Sequence, residues 1–189
     1  MIMFFDTETT GLPKNQNASM KEVGNWPRII QLGWLVTEDD GEEVVRHEYL
    51  IKPDGWEVPT ASFWVKHGYS TEINRLHGSP IGEVLNLFID DINACNAIVA
   101  HNMKYDYNVV GAEMLRADKK ASNRPDRYCT LMASVDVLQI PGKFGWKFPN
   151  LTELHMYLFG KPFDGSHTAL ADVIACKDCF FEMKKRGMI

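Results

Sequence analysis

The order of the apolar segments limits the fold of this chain more than any other feature. Ile2 to Phe5 is a short apolar run that fits a buried strand and leads straight into Asp6. Arg28–Thr37 and Glu43–Ile51 read as two further strands, and the Asp39–Asp40–Gly41 turn between them suggests a hairpin. Residues 12–27 are polar and broken by Pro13, Gly24 and Pro27, which marks a long loop. After the third strand the pattern changes. Ser79–Pro80 opens a helix with Ile81, Val84, Leu85, Phe88 and Ile92 at helical spacing, Ser79 being the N-cap candidate and Pro80 the first helical residue. Ala97–Ala100 is a short buried strand ending at His101–Asn102, and a helix runs from about Lys104 to Ala117. Tyr128–Thr130 reads as a last short strand and Leu131–Val137 as a helix. A Gly/Pro-rich loop, Ile140–Pro149, precedes two helices, about Leu151–Phe159 and Ala169–Lys185. Strands first, then strand–helix alternation, indicate an α/β sheet with helices on both faces.

At 189 residues the chain fits one domain, 1–189, large enough to bury a substantial core. No apolar run approaches the roughly 20 residues that span a bilayer, and the N-terminus lacks the basic start of a signal peptide. Cys95, Cys129, Cys176 and Cys179 are too few for a disulfide scaffold. Cys176 and Cys179 form a C-x-x-C without a second pair, so buried free thiols in a reducing cytoplasm are the expectation. The formal net charge of −5 argues against a broad phosphate-gripping surface. It leaves room for a nuclease whose bound cations supply the local positive charge.

Asp6 and Glu8 stand two apart at the end of the first strand, so both side chains point to one face. Two carboxylates so placed repel each other unless a cation lies between them. An acidic strand end and a metal site are the two readings open at this point. Asp106 shares a helical face with Val109, Val110 and Met114, and Asp172 shares one with Ala169, Cys176, Cys179 and Met183. Each also falls near a helix N-terminus, where the macrodipole favours an acid without any further role. His167 lies five residues before Asp172 at a helix entrance. Of the other histidines, His101 suits the ordering of a loop, and His47, His67, His77 and His155 suit surface or packing positions.

Three segments together decide between these readings. The run FFDTETTGL (Phe4–Leu12) resembles the first motif of the DnaQ-like, or DEDDh, exonucleases. AHNMKYDYNVV (Ala100–Val110) is similar to the second and HTALADV (His167–Val173) to the third, in the family's order. The resemblance implies a ribonuclease-H-like fold, a mixed five-stranded sheet flanked by helices. It further implies that Asp6, Glu8, Asp106 and Asp172 bind two divalent metal ions, Mg²⁺ or Mn²⁺, with His167 as general base. Thr9, Thr10, Gly11 and Leu12 map onto the family's 3′-terminal pocket, where backbone N–H groups meet the last sugar and Leu12 wedges against the last base. Asn102 takes a supporting role in ordering the second motif.

The expected activity is 3′→5′ hydrolysis that releases 5′-mononucleotides. Hard oxygen ligands suit Mg²⁺ or Mn²⁺, and two such ions can activate the attacking water and steady the leaving oxygen. The expected partners are single-stranded or frayed nucleic-acid 3′ ends, DNA ahead of RNA. An RNA-trimming member of the family is the alternative, and a silent binding module on the same fold is a more remote one. A polymerase partner is possible but not indicated. Trp26, Phe144, Trp146 and Phe148 are aromatics available for stacking on bases. Lys119, Lys120, Arg124, Arg127, Lys143 and Lys147 are the candidate phosphate contacts. The loop at 13–27, with Trp26, either shapes the substrate groove or is anchored to the domain by that tryptophan.

Overall fold

A computed structural model describes residues 1–165 and 168–189. Five strands form the main sheet: β1 (Ile2–Thr9), β2 (Ile29–Thr37), β3 (Glu43–Leu50), β4 (Ala97–Ala100) and β5 (Asp126–Cys129). Their spatial order is β3-β2-β1-β4-β5. β1, β2 and β3 are antiparallel neighbours, whereas β4 and β5 run parallel to β1, so the sheet is mixed as expected. The helices are α1 (Ser62–Lys66), α2 (Thr71–His77), α3 (Ile81–Ala94), α4 (Met103–Arg116), α5 (Thr130–Leu138), α6 (Leu151–Phe159) and α7 (Ala169–Lys185). A two-stranded ribbon, β6 (Pro141–Gly142) with β7 (Gly145–Trp146), lies between α5 and α6.

Alternation along β1 divides the core in two. Met3 and Phe5 face α3 and α4 in a cluster with Trp34, Leu85, Phe88, Ile98 and Val109. Ile2 and Phe4 face α6 and α7 in a second cluster with Leu154, Leu158, Val173, Cys176 and Phe180. Asp6 and Glu8 continue the Phe4 row, so the period-2 geometry of a strand directs both carboxylates towards α7. The pairing of β1 with β2 slips between Glu8 and Thr9: Glu8 faces Gln31 and Thr9 faces Ile29. A bulge at this point turns the end of β1, where the two acids stand.

Several sequence expectations need adjustment. β1 includes Asp6 and Glu8, as their expected position at the strand end requires, and runs one residue further to Thr9, because backbone pairing with β2 continues beneath the polar side chains. The β5 strand starts earlier than Tyr128, and α3 starts one residue later than Pro80, which serves as its N-cap in place of Ser79. The helices α1 and α2 did not register in the sequence. α1 is little more than one turn and buries none of its residues. α2 is held by Ser70, whose side chain accepts from the Ile73 amide, and by Asn74, which donates to the carbonyl oxygens of Ile30 and Ile51. These are tertiary and capping contacts that apolar periodicity does not report.

Trp26 resolves the alternatives for the 13–27 loop. Its ring is buried, its Nε1 donates to Ser19 O, and it meets Tyr105 edge-on. Arg116 donates to the carbonyl oxygens of Val23, Trp26 and Pro27, which ties the loop to α4. The tryptophan is an anchor. No helix among the described residues is long and apolar enough to cross a membrane.

Candidate active site

The carboxylates converge where β1, α4 and α7 meet. Asp6, Glu8 and Asp172 each offer an oxygen within 4.8 Å of the others, an arrangement that could hold a metal ion. Asp106 stands just outside this trio and is itself buried, at 3% exposure. Its Oδ1 accepts from the Thr7 backbone N–H (3.2 Å) and from Thr7 Oγ1 (2.7 Å). Thr7 points to the opposite face of β1 from Asp6, so one strand supplies two acids and fixes a third. Asp106 and Asp172 both lie in the first turn of their helices, where the N-terminal dipole favours negative charge.

That dipole is not enough to offset the crowding. Burial pushes the Asp6 carboxyl well up, and Asp106, Asp172 and Glu8 push it further. Burial, then Asp172 and Asp106, raise Glu8 to about 7. Burial raises Asp106 to about 7 against the opposing hydrogen bonds from Thr7. Acids held this way favour either a proton or a cation. A hard divalent ion fits the all-oxygen donor set. Among the described residues no other group of histidines, cysteines and acids is placed to bind a metal. Cys176 and Cys179 are buried thiols, Cys176 pushed up by burial and Cys179 to about 12, in keeping with the structural reading of the C-x-x-C.

The placement of Asp172 depends on residues that motif reading passed over. Gly33 of β2 pairs with Asp6, and a Cβ there would lie 2.8 Å from both Ala169 C and Leu170 N. Only a glycine lets the start of α7 come this close to the sheet. Gln31 Oε1 accepts from the Ala169 amide (2.9 Å) and from Tyr69 Oη (2.7 Å), while Glu48 Oε1 accepts from the Leu170 amide (3.1 Å). Two N–H groups at the start of α7 are thus held by β2 and β3. Gln31 carried a legible signal, a polar residue inside an apolar strand; Gly33 carried a weaker one, a glycine in a strand interior.

The Thr9–Leu12 segment is pinned on three sides. Trp64 Nε1 donates to Thr9 O (2.9 Å), and the Thr10 amide donates to Arg28 O (2.9 Å). The hydroxyls of Thr9 and Tyr105 approach Gly11 O at 2.9 and 2.8 Å. The Thr10 N–H is therefore engaged within the protein and is not free to meet a sugar. Gly11 has φ +148°, which an L side chain rarely adopts. Leu12 stands 77% exposed. Trp64 and Tyr105 are additions to the site. Tyr105 adjoins Asp106 inside the second motif and could have been found there, whereas Trp64 comes from a helix that the sequence did not announce.

His101 is a structural residue. Its Nε2 donates to Pro149 O (3.0 Å), so in the neutral ring Nδ1 is the acceptor, taking a hydrogen bond from Thr130 Oγ1 (3.0 Å). Burial lowers it to about 4, which keeps it neutral at ordinary pH. Asn102 begins α4 in a left-handed conformation, φ 93°. His167, the expected general base, and its neighbour Ser166 lie outside the described residues. Of the expected phosphate contacts, Lys147 instead pairs with Glu153 at 2.5 Å. Lys119, Lys120, Arg124 and Arg127 line a cleft of about 740 Å³ with Phe5, on the sheet face away from Asp6 and Glu8.

A family model described as an exonuclease, RNase_T, matches residues 3–180. The chain belongs to this exonuclease family. Its fold is similar to that of Escherichia coli exonuclease I. A structure of that enzyme with a dA16 oligonucleotide matches with a TM-score of 0.73 and 18% identity, covering 98% of this chain. A dT13 complex matches with a TM-score of 0.75 and 18% identity over 98% of this chain. A zinc-bound complex of E. coli exonuclease I with single-stranded DNA matches with a TM-score of 0.73 and 19% identity over 98%. This exonuclease domain spans 41%, 41% and 40% of those three chains, respectively. No curated protein matches the chain in sequence.

Proposed function

We propose that this chain is a 3′→5′ exonuclease that hydrolyses the terminal phosphodiester bond of nucleic acids and releases 5′-mononucleotides, with DNA favoured. The observation that carries the reading is the convergence of Asp6, Glu8 and Asp172 within 4.8 Å, with a buried Asp106 near enough to raise Asp6 and Glu8, in a chain of the exonuclease family. Asp6, Glu8, Asp106 and Asp172 would hold two divalent ions, Mg²⁺ or Mn²⁺. Bound there, such ions neutralise phosphate charge, increase the acidity of water and stabilise a leaving oxygen.

The chain's own residues do the rest. Thr9 to Leu12 receive the 3′-terminal nucleotide, with Leu12 against the last base and Tyr105 and Trp64 fixing the backbone beneath it. His167 accepts a proton from the attacking water; the new bond is from that oxygen to phosphorus, and the bond to the 3′-oxygen breaks. A histidine of ordinary pKa, about 6.5, suits that task at neutral pH. Preference for DNA is supported by the deoxyoligonucleotides held by the similar exonuclease I structures.

The test uses matched DNA and RNA oligonucleotides labelled at the 5′ end, incubated with Mg²⁺, with Mn²⁺ or with excess EDTA. Stepwise shortening from the 3′ end, abolished by EDTA and faster on DNA, is expected. Full activity in EDTA, or shortening from the 5′ end, refutes the proposal. Faster loss of RNA would move the enzyme to the RNA-trimming branch of the family.

A further inference from the structure

The segment between α5 and α6 carries a feature that the hydrolytic chemistry does not use. β6 and β7 form a hairpin whose base is closed by the Lys147 amide donating to Ile140 O at 2.9 Å. Two glycines make the turn. A Cβ on Gly142 would lie 2.8 Å from Gly145 O, and Gly145 has φ +112°. The turn thus holds Lys143 and Phe144 at its tip. Phe144 is 92% exposed, with Lys143 Nζ 5.2 Å from its ring centre, and Trp146 and Phe148 are 49% and 61% exposed. Single apolar residues on a surface are ordinary; three large aromatics within five residues on a tight projection are not.

The chain that leaves the hairpin is tied to the end of β4. Pro149, two residues past Lys147, is held by His101, and His101 closes β4 five residues before Asp106. The helix that follows the hairpin, α6, packs with α7 on the sheet face towards which Asp6 and Glu8 point. The projection is thus followed directly by a residue held at the end of β4 and by a helix on the sheet face of the candidate active site.

We propose that this hairpin is a stacking platform for single-stranded nucleic acid, gripping unpaired bases upstream of the 3′ end. Phe144, Trp146 and Phe148 offer flat faces that accept any base, and Lys143 offers the phosphate contact at the tip. Paired bases cannot present their faces in this way, so the platform selects single strands over duplex ends. It also makes affinity rise with strand length until the strand reaches the hairpin. A grip of this kind suits a chain of net charge −5 whose Lys119, Lys120, Arg124 and Arg127 line a cleft on the other sheet face. The inference rests on the exonuclease reading for the position of the 3′ end.

The experiment compares wild type with the combined variant Phe144→Ala, Trp146→Ala, Phe148→Ala. Fluorescence anisotropy with a labelled dT12 strand in EDTA reads binding alone. Hydrolysis of dT12 and of the p-nitrophenyl ester of thymidine 5′-monophosphate with Mn²⁺ reads the long and the short substrate. The expected result is a loss of about 10- to 100-fold in dT12 affinity, with a matching rise in KM. The rate on the ester, too short to reach the hairpin, should stay within about 2-fold. Equal dT12 binding by the two proteins overturns the platform, as does an equal loss on both substrates, which would mark a structural role. So does wild-type binding too weak to detect. If wild type cleaves neither substrate, the exonuclease reading falls, and the anisotropy comparison still decides the platform. Unchanged dT12 affinity together with loss of a wild-type self-association would assign the hairpin to contact between copies of the chain and refute the proposal.

Discussion

Without metal, the candidate site should weaken the fold in a pH-dependent way that one substitution can expose. Glu8 is raised from 4.5 to about 7, chiefly by burial and then by Asp172 and Asp106. Its folded pKa exceeds its unfolded one, so the folded state holds the proton more tightly. Below about pH 4.5 both states are protonated and there is no penalty. The penalty grows as pH rises and is complete above about 7. Each pKa unit corresponds to about 1.4 kcal/mol, which places the ceiling near 3 kcal/mol; screening of the partly exposed carboxyl reduces this to about 2 kcal/mol. Glu8→Gln keeps the shape and removes the charge. In EDTA the variant should be more stable than wild type by about 2 kcal/mol at pH 8, or roughly 4–8 °C in melting temperature, and by only about 0.5 kcal/mol at pH 5. Comparison of variant with wild type at each pH matters, because His101, lowered to about 4, destabilises both proteins as pH falls from about 6.5. Adding Mn²⁺ should stabilise wild type at pH 8 and the variant much less. Urea unfolding at the two pH values, with EDTA or Mn²⁺, provides the measurement. If Glu8→Gln is no more stable than wild type at pH 8 in EDTA, the carboxylates are not buried and crowded as described, and the argument for a cation site fails with them.

Other perturbations separate the parts of the site. Gly33→Ala places a methyl 2.8 Å from the backbone of Ala169 and Leu170, so α7 must shift; a cost of about 1–3 kcal/mol in thermal unfolding is expected, with at least about a 10-fold loss of nuclease rate as Asp172 moves. His167→Ala should slow hydrolysis by about 10²–10⁴-fold while keeping Mn²⁺ binding, whereas Asp172→Ala should lose both; calorimetric titration that shows equal loss of metal would place His167 among the ligands. His101→Ala should cost about 1–3 kcal/mol through the lost bonds to Thr130 and Pro149, yet leave the rise of rate with pH near 6.5 in place. Disappearance of that limb would make His101 the titrating base.

Much of this protein was legible before any tertiary structure. The acids stood out because they interrupt apolar patterns, Asp6 and Glu8 at the end of a buried strand and Asp106 and Asp172 on the apolar sides of helices, and the order of three motifs resembling the DnaQ-like exonucleases joined them into one candidate site. Hydrophobic burial sets those patterns locally, and α6 and α7 accordingly appear with the bounds that periodicity indicated. Strand order and the helices α1 and α2 were not legible in that way. Their stability comes from partners far along the chain, such as Asn74 on the carbonyl oxygens of Ile30 and Ile51. The same holds for the site's supports. Thr7 reaches across 99 positions to hold Asp106, and Gln31 reaches across 138 to hold the start of α7. By itself the sequence determined which side chains are the candidates for the chemistry, because residue identity and motif spacing are local facts. Only the tertiary structure decided how close they come, which three gather within 4.8 Å, and that Gly33 is what permits it. Distances between remote segments depend on packing, and packing has no local signature.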